Sequence, residues 1–352
     1  MLDRSLPRKA PTRNQVAEHA QVSTAVVSYV LTGAKRVSPE KERRVHEAIK
    51  ELGYVPNTAA RALRTGRTHV LALLIPDSSN PYFAEFALQI ETAAAERGYA
   101  LLIANTHDDA ENEERLVTEM GSRGVDGLII ASVLQGLRPG SSSDAQVPTV
   151  VIDAFHPIEG APSIGVDAIG SAAEAVRHLV EVHGRRRVAL VLGASSDPDQ
   201  RTDPRQIGWE RTLREAGLEP GPIEITGWSR EGGLEAAARL LSGPGRPDAV
   251  FAGSDLIGIG FLRGAADHGL RIPEDLAVIS YDGTSESAFS VPRLTTLQQP
   301  VRAMARAAID AVLHTGPPPK SITTFPGELI LRESCGCGAH RAPVTSTKGP
   351  PT

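Results

Sequence analysis

Short apolar runs alternate with helical patterns between residues 68 and 330, and this alternation constrains the fold of the chain more than any other feature. The apolar runs have the length and continuous hydrophobicity of strands that are buried on both faces of a parallel sheet. They cover 70–75, 100–104, 127–131, 149–152, 188–192, 249–252 and 276–280. Apolar residues at helical spacing separate most of these runs, at 82–97, 171–183, 204–216, 231–241 and 256–268. The pattern therefore predicts doubly wound α/β lobes.

Two such lobes fit within residues 68–335. We predict a first lobe over about 68–166 and a second lobe over about 167–293, with the returning chain at about 294–330 completing the first lobe. The last residues, 336–352, are predicted to form a flexible tail. In open sheets of this kind, ligands bind at the carboxyl ends of the strands, so a site is expected in the cleft between the lobes.

Composition and hydropathy exclude several classes of protein. Hydrophobic residues make up 41% and charged residues 22% of the chain, close to the averages for globular domains. The apolar runs are far shorter than the roughly 18 residues that a membrane span needs. Basic residues near the start precede no apolar stretch, so no signal peptide is expected and the cytoplasm is the expected location.

The first 66 residues carry a charge of opposite sign to the rest. They hold 12 Lys and Arg against 6 Asp and Glu, a balance of +6, whereas the remainder holds 25 against 36, a balance of −11. A capping box at Thr12 and Gln15 and a capping serine, Ser23, predict short helices over 13–20 and 24–31. A third helix is predicted from Pro39 to Gly53. The pattern fits a helix-turn-helix that meets a polyanion, and equally a small helical bundle.

The residues themselves favour the first interpretation. The stretches at 14–23 (NQVAEHAQVS), 27–31 (VSYVL), 37–39 (VSP) and 52–57 (LGYVPN) closely resemble the headpiece of LacI/GalR-family transcriptional regulators. Further stretches at 75–83, 124–129, 272–282, 294–300 and 331–334 are similar to the core of the same family, which itself is similar to periplasmic sugar-binding proteins. The resemblance covers nearly the whole chain.

The resemblance implies that residues 1–55 form a DNA-binding headpiece whose second helix enters the major groove. By position, Thr24 and Ala25 would contact base edges. The neighbouring residues at the DNA surface would be Thr12, Ser23, Ser28 and Tyr29. Two departures from the family affect this surface. Gln21 stands where a turn glycine is common, and Tyr29 stands where many members have arginine, although its hydroxyl can still donate to a phosphate.

Residues 56–67 match the hinge of the family. The resemblance implies a segment that becomes helical on operator DNA, pairs with its symmetry mate and inserts Leu63 into the minor groove. Asn57 and Ala60 would line the groove, and Arg61 and Arg64 would lie near phosphates. The segment has too little apolar surface for a stable isolated helix, so a flexible linker is the alternative.

The resemblance also implies a small-molecule effector between the lobes. The candidate residues are Ser79, Asn80, Tyr82, Phe83, Asp153, Arg205, Trp228, Ser254, Asp255 and Asp282. Carboxylates, an arginine and aromatic rings together suit hydroxyl groups and the apolar face of a ring, so a carbohydrate is expected. Ser254 replaces a common asparagine, which leaves the identity of the ligand open. Two alternatives remain, an ion pair of Asp282 with Arg205 that needs no ligand, and a core role for Trp228.

Catalytic and metal motifs are missing from the sequence. It contains none of the patterns G-x-S-x-G, H-E-x-x-H and G-x-x-x-x-G-K-[ST]. The pair Cys335 and Cys337, with His340 nearby, lacks the ligand count of a zinc site, so neither a metal nor a cofactor is expected. We therefore predict a repressor that binds palindromic operator DNA as a homodimer under the control of a small molecule. A soluble solute-binding protein or receptor is the alternative, and an enzyme on the same scaffold is the third possibility.

Overall fold

The structure is a computed structural model that describes residues 11–55, 62, 66–131, 147–158, 160–194, 202–314, 316 and 321–338. The chain divides into two compact units, Met1–Thr68 and His69–Thr352. Within the described residues, no helix is both long enough and apolar enough to cross a membrane.

The first unit contains helices α1 (Arg13–His19), α2 (Thr24–Thr32) and α3 (Pro39–Leu52). The predicted capping box forms at the start of α1, because Thr12 and Gln15 bond to each other's backbone nitrogens. Ser23 caps α2 through the backbone nitrogen of Val26, and α3 ends at Gly53 in the left-handed conformation. The apolar stripes meet in one small core, formed by Val16, Ala17, Ala20, Val27, Val45, Ala48 and Tyr54.

The second unit begins with a parallel sheet. Its strands are β1 (Val70–Ile75), β2 (Ala100–Asn105), β3 (Gly127–Ala131) and β4 (Thr149–Ile152), in the order β2-β1-β3-β4. Helix α4 (Pro81–Glu96) covers one face, and helix α5 (Ala110–Ser122) covers the other. Strands β1 and β3 are almost entirely buried, which explains their continuous apolar sequence.

A second, larger sheet follows. The short strand β5 (Ile164–Val166) precedes it. The strands of this sheet and the helices and turns that connect them follow in chain order: helix α6 (Ala168–Arg177), a π-helical turn (His178–Val182), β6 (Val188–Gly193), α7 (Pro204–Glu215), β7 (Ile223–Thr226), α8 (Arg230–Leu241), β8 (Ala249–Ala252), α9 (Asp255–Asp267), β9 (Ala277–Asp282) and a 3-10 turn (Ser285–Ala288). The chain then continues through β10 (Thr295–Gln298), α10 (Val301–Val312), β11 (Thr323–Phe325) and β12 (Glu328–Ile330). The sheet has the order β12-β10-β9-β8-β6-β7, and β12 alone is antiparallel to its neighbour among the described strands.

The structure corrects the predicted return of the chain. Residues 294–330 were assigned as a whole to the first lobe, but β10 pairs with β9 and β12 pairs with β10, so both belong to the second sheet. Helix α10 does pack against the first lobe, where Met304 and Ile309 are buried, and β11 pairs with β5. The reason is that the β10 side chains have their partners in the second lobe. Thr296, for example, donates to Asp255.

Two further differences concern the ends of elements. The helix predicted over 171–183 ends at Arg177 and continues as a π turn. The predicted tail, 336–352, begins with a packed residue, because Cys337 lies against the core of the second lobe. Residues 339–352 lie outside the described part of the chain.

Candidate functional site

The start of α2 presents the side chains that the sequence places at a DNA surface. Thr24 and Ala25 are exposed in the first turn of the helix, and Ser28 and Tyr29 are half-buried one turn later. The Nζ atom of Lys35 lies 5.3 Å from the centre of the Tyr29 ring, so a cation stands beside this surface. Ser23 and Thr12 are exposed as well, but their hydroxyl groups serve as helix caps.

The turn between α1 and α2 depends on Gln21. Its φ angle is 51°, in the left-handed region that favours glycine. Gln21 thus adopts the conformation of a turn glycine despite its side chain, and the two helices keep a short connection. The predicted hinge contacts cannot be placed in the same way. They involve Asn57, Ala60, Arg61, Leu63 and Arg64, which lie outside the described residues.

In the second unit, polar residues gather at the carboxyl ends of the strands. Asp153 directly follows β4 and Asp282 ends β9, and both have positive φ angles, 56° and 117°. Non-glycine residues rarely adopt such angles, and they concentrate at functional sites. Both aspartates are among the residues predicted for the effector site.

One chain of hydrogen bonds joins the two lobes at this edge. The Tyr82 hydroxyl lies 3.1 Å from Asp153 Oδ1 and 3.1 Å from Gln299 Oε1. The Gln299 amide in turn donates to Asp282 Oδ1 over 3.1 Å. Tyr82 belongs to α4 in the first lobe. Asp282 ends β9, and Gln299 directly follows the neighbouring strand β10 of the second sheet. The tyrosine and the glutamine therefore link carboxylates from opposite lobes.

Arg205 is buried beside this chain, with only 7% of its surface exposed. It donates from Nε and Nη2 to the two oxygens of Asp203, and from Nη1 to the carbonyl oxygen of Gly253. Its guanidinium carbon lies 4.8 Å from the Trp228 ring centre, 5.3 Å from Phe155 and 5.4 Å from Tyr281. The ion pair of Arg205 with Asp282 was the alternative to a ligand site, and Arg205 forms its bidentate pair with Asp203 instead.

Trp228 is held at the sheet edge by two neighbours. Its indole nitrogen donates to the carbonyl oxygen of Ala194 over 3.0 Å. The ring lies directly over Gly193, where a Cβ atom would stand 2.0 Å from a ring carbon, so only glycine fits at that position. Trp228 is half-buried and packs against the core clusters of the second lobe, so it is not a fully buried core residue.

Several of the predicted effector residues hold local structure together. Ser254 caps α9 through the nitrogen of Ile257, and Asn80 caps α4 through the nitrogen of Tyr82. The Ser79 hydroxyl donates to Asp77, and Phe83 packs beside Tyr82 with ring centres 5.1 Å apart. Asp255 is fully buried and accepts hydrogen bonds from Ser280, Thr284 and Thr296, so its carboxylate is already satisfied within the second lobe.

Burial controls the protonation of this site. Loss of hydration raises the pKa of Asp153, and it raises the pKa of Asp282 well above its usual range with a further contribution from Asp255. Burial also opposes ionisation of Asp203, but the charge and hydrogen bonds of Arg205 outweigh it and lower the pKa of Asp203. The Tyr281 hydroxyl is buried without a hydrogen-bond partner among the described residues. The site thus holds carboxyl groups and a hydroxyl that still have capacity for hydrogen bonds.

Sequence reasoning missed four of the residues that build this site, Phe155, Asp203, Tyr281 and Gln299. A usable signal existed for three of them. Gln299 and Phe155 follow strands by one and three residues, and Asp203 precedes Pro204-Arg205 at the start of a helix. Tyr281 carried no such signal, because it lies inside a strand that reads as buried core.

A second cluster of side chains occupies the opposite edge of the second sheet. His178, His183, Cys335 and Cys337 bring their ligand atoms within 4.8 Å of one another. Burial lowers the pKa of both histidines, so both rings are neutral at pH 7. Sequence reasoning judged the cysteine pair by its neighbours along the chain and therefore missed the two histidines. His340, the ligand it considered, lies outside the described residues.

Comparison with known proteins gives a consistent result. A family model described as bacterial regulatory proteins, lacI family, matches residues 13–57, and one for a periplasmic binding protein-like domain matches residues 176–335. The chain is 34% identical over 308 residues to the ribose operon repressor of Escherichia coli (strain K12), which covers 86% of this chain and 92% of that protein.

Solved structures agree with these matches. The lac repressor dimer bound to operator and an anti-inducer superposes with a TM-score of 0.79 at 25% identity and covers 93% of this chain and 99% of that one. The complex of the transcriptional regulator CelR with cellobiose gives a TM-score of 0.64 at 31% identity, covering 92% of this chain and 99% of that one.

Proposed function

The chain belongs to the LacI family of bacterial transcriptional regulators, and we propose that it is a repressor whose affinity for a palindromic operator is controlled by a neutral carbohydrate or polyol. The proposal of an effector site rests on one observation. Tyr82, Gln299 and Asp282 form a chain of hydrogen bonds, and Arg205 lies beside it against the Trp228 ring. These groups meet between the lobes, where one ligand can contact both.

The DNA-binding part is supported by the headpiece. The exposed Thr24 and Ala25 stand at the first turn of α2, the place where recognition helices of this type contact bases. The hydroxyl of Thr24 can bond to a base edge, and the methyl of Ala25 can contact a thymine methyl. A palindromic site suits two copies of the headpiece, and a relative was solved as a dimer on its operator. We therefore propose a homodimer.

The chemistry of the cleft favours an uncharged polyhydroxylated ligand. Asp153 and Asp282 are acceptors for hydroxyl groups, and Trp228 and Phe83 offer ring faces to the apolar side of a sugar. The only described cation that contacts this group, Arg205, already forms a bidentate pair with Asp203. An anionic ligand such as a sugar phosphate would thus meet two carboxyl groups without a free counter-charge. One similar regulator was solved with cellobiose, and another is named as a ribose operon repressor.

Two other functions were open from the sequence. A solute-binding protein or receptor would share the two lobes but would have no use for the headpiece at residues 13–57. An enzyme would need a nucleophile with a base or a metal at the sheet edge, whereas the carboxylates there bond to an amide, a hydroxyl and an arginine. We therefore propose a regulator without catalytic activity that acts on DNA in the cytoplasm.

A ligand screen on the full chain tests the effector part. Sugars, polyols, nucleobases and sugar phosphates are compared by thermal shift, where a ligand at 100 times its Kd adds about 2.7 kcal/mol of stability. We expect a neutral sugar or polyol to stabilise the protein and to change its affinity for an operator selected from genomic DNA. A stabilising effect from nucleobases or phosphorylated compounds alone would contradict the proposed ligand class.

Three variants localise the ligand. Asp282→Ala and Arg205→Ala should each weaken ligand binding by about 2 to 5 kcal/mol, because each leaves a buried polar group unpaired. Tyr82→Phe removes only the hydroxyl that joins the lobes and should weaken ligand binding with less effect on folding.

Asp267→Ala and Arg211→Ala are matched controls on the surface. All variants should still bind operator, and a wild-type response in the three site variants would refute the assignment.

A further inference from the structure

The carboxyl-terminal Cys-Gly-Cys segment and a pair of histidines form a cluster that the repressor function does not use. Cys335 Sγ is 3.8 Å from His178 Nε2, and Cys337 Sγ is 3.2 Å from the same atom. Cys337 Sγ is also 3.3 Å from His183 Nε2, and the two Nε2 atoms are 3.1 Å apart. From these distances we propose that His178, His183, Cys335 and Cys337 form a four-coordinate site for Zn²⁺.

The spacing of the four atoms matches the edges of a zinc tetrahedron. Zinc binds nitrogen at about 2.0 Å and sulfur at about 2.3 Å. Tetrahedral geometry with these bonds separates two nitrogens by about 3.3 Å and a nitrogen from a sulfur by about 3.5 Å. The four distances above, from 3.1 to 3.8 Å, scatter around these values. A set of two histidines and two cysteines is also a common ligand set of closed, structural zinc sites.

The backbone of α6 explains how the histidines converge. Residues five apart in an α-helix point about 140° away from each other around the axis. Here the chain changes from α-helix to a π turn at His178–Val182, and His183 follows at its end. In the wider π turn, whose bonds join residues five apart, positions 178 and 183 lie on the same side. Such turns are frequent at functional sites, and this one places two imidazole nitrogens at ligand distance.

The cysteines converge because of the glycine between them. Gly336 has a φ angle of 109°, which side chains rarely adopt, and a Cβ atom there would lie 3.1 Å from His183 Nδ1. The segment is fixed to the sheet by Ser334, whose hydroxyl donates to Val278 and accepts from Thr295, and by the ion pair of Glu333 with Arg293. The two thiols are therefore held on a rigid base.

The charges also balance. When Zn²⁺ binds, each thiol releases its proton to solvent, and two thiolates with two neutral imidazoles neutralise the ion. A neutral complex suits this location, where Cys335 is fully buried and the other three residues are half-buried. The site lies at the edge of the sheet where β6 and β9 begin, whereas the effector residues lie where these strands end. The metal would thus fasten the end of the core to α6 without contact with the effector.

Metal analysis of the full chain tests the site. The protein is expressed without a polyhistidine tag, and its zinc content is measured by mass spectrometry. We expect about one zinc ion per chain, with loss of the metal in Cys337→Ser and in His183→Ala. His268→Ala is the matched control, because His268 bonds to Gly264 and Ser242 far along the chain from the cluster, and it should retain the zinc. Unchanged operator binding in each variant shows that it has folded.

Cobalt provides a second, spectroscopic readout of the same site. The zinc-free wild type should bind Co²⁺ with the strong visible bands of a tetrahedral site and a thiolate-to-cobalt charge-transfer band, which Cys337→Ser weakens. A chelator should lower the Tm of the wild type but not that of the variants. The proposal is overturned if the wild type binds neither zinc nor cobalt, or if the freshly purified protein holds Cys335 and Cys337 as a disulfide. It is also overturned if Cys337→Ser and His183→Ala keep their zinc, or if the control His268→Ala loses its zinc together with them.

Discussion

Three of the described non-glycine residues with positive φ angles belong to the proposed DNA-binding and effector-binding parts of the chain. Asp153 and Asp282 have positive φ angles at the ends of strands, where their carboxyl groups accept hydrogen bonds from Tyr82 and Gln299. Gln21 also has a positive φ angle, in the turn of the headpiece, and its side chain is exposed. Strained backbone is common at binding sites, and Asp153 and Asp282 belong to the proposed effector site. Gln21 is not among the proposed binding residues, so its strain can be removed without loss of a proposed contact.

Gln21→Gly should therefore stabilise the headpiece. The left-handed conformation costs a residue with a side chain roughly 1 to 2 kcal/mol, and glycine avoids this cost. Glycine also increases the conformational entropy of the unfolded chain, which offsets part of the stabilisation. We expect a net gain of about 0.5 to 1 kcal/mol, measured by native-state hydrogen exchange of amides in Thr24–Thr32.

The matched control is Glu18→Gly, because Glu18 is exposed and helical in the same headpiece. It should lose about 1 kcal/mol, the usual cost of glycine within a helix. A loss of stability in both variants would show that Gln21 carries a contact that outweighs its backbone strain.

Site residues were predictable from the sequence where a strand end marked their position. Asp153 and Asp282 were identified in this way, and the structure places both at the expected edge. Pairings were less predictable, because they depend on side chains that only the tertiary fold brings together. Arg205 pairs with its near neighbour Asp203 instead of Asp282. The partners of the cysteines were missed for the same reason, since His178 is more than 150 residues away from them.

At the scale of elements, burial decided which predictions succeeded. Strands β1, β3, β4 and β8 have the predicted bounds, because strands buried on both faces are continuously apolar. Strand β10 has two threonines among its four residues, and β7 is partly exposed, so neither shows that signal. The assignment of β10 to the wrong lobe followed from this, since its place depends on the hydrogen bonds of its threonines with Asp255 and Ser334.

The hinge is the element whose proposed role needs a direct test. If Leu63 inserts between base pairs at the centre of the operator, Leu63→Ala should weaken operator binding more than binding to random DNA, because the wedge acts only where the site is bent. Fluorescence anisotropy with both DNAs at one salt concentration measures the difference.

Arg64→Ala is the contrasting variant within the same segment. As a phosphate contact, Arg64 should contribute equally to the affinity for operator and for random DNA. Its loss should reduce the slope of log affinity against log salt concentration by about one, because one counterion fewer is released on binding. Equal losses on both DNAs for Leu63→Ala would argue against insertion and favour a plain linker.

At the scale of the whole molecule, the proposed function requires communication between two separate compact units. The headpiece unit ends at Thr68, and all residues of the proposed effector site belong to His69–Thr352. An effector can change DNA affinity only if it binds two states of the protein with different affinity. The hydrogen-bonded link of Tyr82 with Gln299 is suited to this, because its length depends on how the two lobes are placed.

Such coupling must be reciprocal, and this gives a quantitative prediction. If the effector changes operator affinity by a certain factor, operator DNA must change effector affinity by the same factor, which for coupled sites is typically about 5- to 150-fold, or about 1 to 3 kcal/mol. Calorimetry of the effector with and without operator, and anisotropy of the operator with and without effector, measure the two factors in one buffer. The unit from His69 onwards should bind the effector with the affinity of the DNA-free full chain and should not respond to operator. Two unequal factors, or an effector affinity that operator leaves unchanged, would show that the cleft and the headpiece act independently.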